Sequence, residues 1–234
     1  MINLKQLEKQ ELDISSQVQE RLEIRLDLLE RIQEAIMYGI DLIMNSSQRI
    51  NLENPKDRFQ LFSIVCASRV IALARSSIQL CCKGYALEAA VLARSLFEVS
   101  VAYEYLANNP TTADLFYEDK ISTTDVVKQA IRQNKKLTSD DDSGILYGTL
   151  SEFSHHSQWA LSHAIDWEEG DKTFTTVRIL IDDPERIDPP LRQVGRWMLW
   201  FYERFYKFVG AEFQIDESWQ EQHSFIQEFQ DILQ

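Results

Sequence analysis

A chain of 234 residues that is 44% hydrophobic can bury a sizeable core, as one large domain or two small ones. A formal charge of −13, with no basic run beyond the doublet Lys135-Lys136, argues against a generic phosphate-binding surface, whose affinity needs clustered Lys and Arg. Only 7 Gly and 5 Pro disfavour a turn-rich all-β design and favour long helices.

From residue 3 to residue 48, Ile14, Val18, Leu22, Leu29, Ile32, Ile36, Ile40 and Ile43 recur mostly at helical steps, with charged residues on the other face. This pattern predicts one long helix, or a short one followed by a long one. A stripe of this length predicts packing on a partner chain or along a bundle, and so a homodimer or a protein partner through this helix. Asn54-Pro55 is a helix start, with Asn as cap and Pro in the first turn. The helix that follows ends at Lys83-Gly84, and "YALEAAVLARSLFEVSVAYEYLANN" continues at once as another, stopped by Pro110. So short a turn makes the two antiparallel, and their apolar composition places this hairpin at the centre.

Two shorter helices are predicted over 113–121 and 125–137, then an acidic loop over 138–144, then a helix over 145–165. "TFTTVRILID" alternates and is rich in β-branched residues, which predicts a single extended excursion near 173–182. Pro189-Pro190 reads as the opening of an aromatic-rich helix, and Asp216 as the cap of a last amphipathic one. The fold class is therefore all-α: a bundle of about seven helices in one domain over 1–234, with 1–50 as the N-terminal helical segment, 55–165 as the core and 185–234 as the C-terminal helices. Cys66, Cys81 and Cys82 have apolar neighbours and read as reduced, buried thiols. The polar start "MINLKQLEKQ" does not read as a signal peptide, and no uninterrupted apolar run reaches the ~18 residues of a membrane span. These features predict a cytoplasmic location, with no membrane as a partner.

The candidate site starts from "LARSLFE", where Arg94 and Glu98 interrupt an apolar stretch. At about 100° per residue they fall about 40° apart on one helix face, with Leu87, Ala90, Val91, Val101, Ala102 and Tyr105 on the same side. Burying a charge without partners costs several kcal/mol, so both must be paired. On the later helix, Tyr147, Ser151, Ser154, His155, Gln158 and Ser162 form a stripe of hydroxyls, an amide and an imidazole without formal charge. Such a stripe suits a semi-buried hydrogen-bond network or a pocket wall, and a buried Arg–Glu pair is its natural partner.

The motifs Arg94-Ser95-Leu96-Phe97-Glu98 and Ser151-Glu152-Phe153-Ser154-His155 resemble those of a broad group of uncharacterised bacterial helical proteins. That group is similar to the HEPN superfamily of helical bundles ("higher eukaryotes and prokaryotes nucleotide-binding"). The resemblance spans roughly residues 58 to 162. It implies a component of a bacterial stress or phage-defence system, directed at RNA or a nucleotide. Many members are ribonucleases and many are dimers. Those ribonucleases carry Arg and His four to six residues apart on one helix. This chain has no such pair, so Arg94 and His155 would meet from two helices.

In that reading Arg94, Glu98 and His155 are the catalytic candidates. Imidazole moves a proton near neutral pH, guanidinium holds a phosphate, and carboxylate orients either one. Tyr147, Ser151, Ser154 and Gln158 are the binding candidates. The alternative is a non-catalytic interaction module in which the same residues tie core helices together. No cofactor and no metal are expected: Glu152, His156 and His163 share a face but span two turns.

Overall fold

The computed structural model describes residues 4–46, 51–133, 180–181 and 183–233, and the backbone of 165–167 and 174–177. Helix α1 spans Leu4–Ser46 and buries Ile14, Val18, Leu28, Leu29, Ile32, Ala35, Ile36 and Ile43. Leu22 leaves helical geometry (φ −117°, ψ 18°), so the two sequence alternatives merge into one helix with a kink. The apolar stripe that predicts association is covered by this chain's own helices, and what α1 leaves outward mixes acidic residues with exposed Leu12, Ile24, Met37 and Met44.

Helix α2 (Pro55–Cys82) begins where predicted, with Asn54 Oδ1 accepting from the Lys56 N–H at 3.0 Å. It ends in a Schellman turn: the Gly84 N–H donates to Cys81 O at 3.0 Å and the Tyr85 N–H to Leu80 O at 2.8 Å. Gly84 has φ +87°, and the Ile181 N–H donates to its carbonyl at 2.8 Å. A Cβ at Gly84 would lie 2.8 Å from Ile181 O. Glu11 of α1 holds this corner from outside, accepting from Tyr85 Oη at 2.8 Å and pairing with Lys83 at 3.3 Å.

Helix α3 (Ala86–Asn108) returns antiparallel to α2, followed by α4 (Pro110–Tyr117) and α5 (Thr123–Gln133). Strand β1 (Ile165–Trp167) pairs antiparallel with β2 (Phe174–Val177). The extended excursion therefore has a partner of its own. Ile165, expected to end a helix, lies in β1, because a strand's backbone groups need a ladder that a lone segment cannot supply.

The long C-terminal helix α6 (Pro184–Glu212) opens five residues before the expected Pro189-Pro190. Asp183 Oδ1 accepts from the Glu185 N–H at 3.0 Å, and Pro184 takes the first turn. The two later prolines deprive only the carbonyls of Glu185 and Arg186, at exposed residues where water can satisfy them. Helix α7 (Glu217–Phe229) is capped by Asp216, as predicted, and runs into a 3₁₀ turn, Gln230–Leu233.

Seven α-helices are thus present among the described residues, and the all-α bundle stands. One hydrophobic core draws side chains from all seven. Helices α3 and α6 run side by side in the same direction: Phe97 meets Trp197 edge-on at 4.5 Å, and Tyr103 lies 4.8 Å from Phe201. Helix α1 closes the other flank, where Gly39 admits Phe205 so closely that a Cβ would lie 2.5 Å from its ring. Trp219 of α7 is fully buried and donates from Nε1 to Ala35 O at 3.0 Å.

Replacing Gly84 with Ala should destabilise the fold by about 1–3 kcal/mol, since it adds a Cβ both at positive φ and against a carbonyl. Urea denaturation checks this; an unchanged midpoint would contradict the turn geometry. A second expectation concerns His223 of α7, stacked on Tyr206 at 3.8 Å. Burial lowers its pKa, with Glu203 opposing and Lys207 reinforcing the shift. The unfolded state then binds the proton more readily, so His223's contribution to stability is complete above the ordinary histidine pKa and is lost as pH falls from there through the lowered folded value. Thermal melts from about pH 7.5 to about pH 5.5 should show a decline that is shallower in His223→Gln.

Candidate functional site

Arg94 and Glu98 lie one turn apart on α3, and Arg94 Nε donates to Glu98 Oε1 at 3.2 Å. The side chains keep 22% and 35% of their exposure, and Val91 beside them keeps 39%. The pair is therefore not sealed in an apolar stripe, as its neighbours in sequence imply. The deepest face of α3, through Ala89, Ala93, Leu96, Phe97, Ser100 and Tyr103, meets α2 and α6. Arg94 and Glu98 flank it, reachable from solvent. Further along their side, Tyr105 Oη donates to Gln129 Oε1 of α5 at 2.8 Å.

The pair has the less favourable helical order, with the cation N-terminal to the anion. The pair is half-buried, neither sealed in the core nor fully solvated. Chemically, it is a guanidinium held in place by a carboxylate at the bundle's edge. Tyr147, Ser151, Ser154, His155 and Gln158 lie outside the described residues, as do Glu152, His156 and His163. Of the expected constellation, the structure brings together Arg94 and Glu98.

A stronger polar cluster sits three turns away and was not anticipated. Glu104 of α3 accepts from Trp200 Nε1 and from Arg204 Nε, both at 3.0 Å. Arg204 lies over the Trp200 ring at 3.8 Å and donates to Glu203 at 2.8 Å. One carboxylate thus joins an indole, a guanidinium and two helices, which is a brace rather than a ligand cradle. The available signal was Trp200 and Arg204 one helical turn apart, with Glu104 in an otherwise apolar half of α3. The aromatic stripe of α6 read as core instead.

The cysteines are as expected in chemistry. Burial pushes the Cys66 thiol up to about 12 and raises Cys81 further, so neither is a thiolate near neutral pH. Cys82 is half-buried. Among the described residues, no three or more His, Cys, Asp or Glu side chains gather to hold a metal ion.

The profile of a family described as "Family of unknown function (DUF5677)" matches residues 60–144, from the first turns of α2 through α5 and beyond. The match includes Arg94 and Glu98 but not the later polar stripe. No curated protein and no solved structure matches the chain.

The two clusters should separate in stability measurements. Arg94→Leu removes one charged hydrogen bond to Glu98 and is expected to cost about 1 kcal/mol. Glu104→Leu strips Arg204 and Trp200 of their shared acceptor and should cost about 2–3 kcal/mol. Equal losses in chemical denaturation would contradict this ranking.

Proposed function

We propose that this chain is a HEPN-like helical component of a bacterial stress or phage-defence system, acting in the cytoplasm on RNA or a nucleotide. The observation that carries the reading is the position of Arg94. It is a guanidinium set by Glu98 on the edge of an apolar core helix, and it remains accessible to a solute. A phosphate oxygen is the ligand such a group suits best. In this reading His155 supplies proton transfer, Glu98 orients Arg94, and Tyr147, Ser151, Ser154 and Gln158 bind the remainder of the ligand. The chain's acidity confines such binding to a local pocket, so affinity depends on few phosphates and falls only gently with salt.

A second reading is favoured by the Arg94–Glu98 hydrogen bond itself: a non-catalytic interaction module in which that pair and His155 form a structural network. Fluorescence anisotropy with a labelled single-stranded RNA oligonucleotide and with a labelled adenine nucleotide distinguishes the two. The first reading expects wild-type binding that weakens at least about tenfold in Arg94→Leu, a loss of about 1.4 kcal/mol. The same RNA, incubated and resolved on a gel, tests cleavage, which His155→Ala should abolish while sparing much of the binding. Absence of binding by the folded wild type to either probe, or equal binding by Arg94→Leu, would overturn the first reading in favour of the second.

A further inference from the structure

Helix α2 is the one described helix long and apolar enough, by length and composition, to cross a membrane. The reading of the sequence missed this because Arg69 and Arg75 interrupt its apolar run. Yet only 39% of its most apolar window is buried. Its inner face, through Cys66, Ala67, Val70, Leu73, Ala74 and Cys81, belongs to the core. Its outer face does not: Val65 is 58% exposed, and Ser68, Arg69, Ala72, Arg75 and Ser76 are exposed beside it.

Helix α1 lies antiparallel beside α2, since Glu11 reaches Tyr85 at one end while a groove farther along joins the middle of α1 to α2. The groove measures 480 Å³, with Leu26 and Ile78 at its floor, Glu30 and Glu34 on one wall, and Arg75 and Gln79 on the other. The outer face of α1 carries Met37 and Met44, 50% and 59% exposed, among exposed Glu30, Glu34 and Asp41. Arg69 and Arg75 make no ion pair among the described residues. The layer thus has a basic half on α2, an acidic half on α1, and exposed apolar residues seven apart on each.

We propose that this α1/α2 layer is the surface on which a second copy of this chain docks. Charge complementarity and register select that occupant. Rotating the layer about a two-fold axis parallel to the helices places α2 of each copy over α1 of the other, with level along the axis unchanged. Arg75 and Glu34 share the groove, so Arg75 faces Glu34 of the partner subunit. Stepping along both helices brings Ala72 to the partner's Met37, Arg69 to the partner's Asp41 and Val65 to the partner's Met44. The layer is roughly 40 Å long and two helices wide, about 800 Å² per copy, the area a stable dimer needs. A lipid surface would meet the carboxylates of α1 as well as the apolar residues, which disfavours it. This inference does not depend on the role given to Arg94.

Sedimentation equilibrium of the full chain should return twice its 27.3 kDa mass. The pair Arg69→Glu with Arg75→Glu, and separately Glu34→Lys with Asp41→Lys, should each weaken self-association at least about tenfold, because like charges then face each other. Mixing the two variants should restore a dimer. Val65→Glu should also dissociate it while leaving the helical circular dichroism unchanged. A monomeric wild type, a dimer indifferent to these changes, or no restoration on mixing would overturn the proposal. So would a monomeric wild type that co-sediments with phosphatidylcholine–phosphatidylglycerol vesicles, which would assign the face to lipid.

Discussion

The packing of α3 against α6 is the constraint on which the rest of the bundle depends. Two helices running in the same direction cannot be joined by a short turn, so their alignment must come from side chains. Phe97 against Trp197 and Tyr103 against Phe201 set the spacing. The single proton of Ser100 Oγ is shared between Leu96 O at 2.8 Å and Trp197 O at 3.0 Å, which fixes the level of one helix against the other. Glu104 closes the far end through Trp200 and Arg204. Apolar contact alone would tolerate sliding; the buried Ser100 hydroxyl and the shared Glu104 carboxylate do not, because each step would break hydrogen bonds whose partners are fixed on the other helix.

Once that seam is set, the remaining helices follow. The Gly84 turn returns α2 onto α3, and its carbonyl receives the Ile181 N–H from the segment leading into α6. The two ends of the core are thereby tied to one backbone position. Helix α1 closes the bundle along α6 through the close approach at Gly39. Near its kink, Arg25 pairs with Asp188 and donates to Ile232 O at 3.2 Å. Cations and carbonyls thus fasten α1 at the open end of the bundle, and aromatic packing fastens it farther along.

This architecture explains why the polar pairs on α3 differ in character. Glu104 points into the seam, where it is held by two donors and serves cohesion. Arg94 and Glu98 turn away from the seam by about a quarter to a third of a turn and emerge at its edge. Each pair thus takes its surroundings from the face of α3 on which it lies.

Much of the fold was legible in local chemistry. Asn54-Pro55, Lys83-Gly84, Pro110 and Asp216 act within one turn of the chain, where backbone donors and allowed φ decide the outcome, and the structure has an element boundary at each. The period of Ile14 to Ile43 likewise fixes a helix face without reference to any neighbour. Where two local signals competed, sequence could not choose. Asp183-Pro184 and Asp188-Pro189 offer the same local helix-start signal; in the fold Asp183 is the cap, while Asp188 pairs with Arg25 of α1 and with Arg192 one turn on. The strand partner of Phe174–Val177, the exposure of Arg94 and the bracing role of Glu104 were decided by tertiary structure. Each depends on which helix lies opposite, and periodicity states only that a face is apolar, not what covers it or where the cover ends.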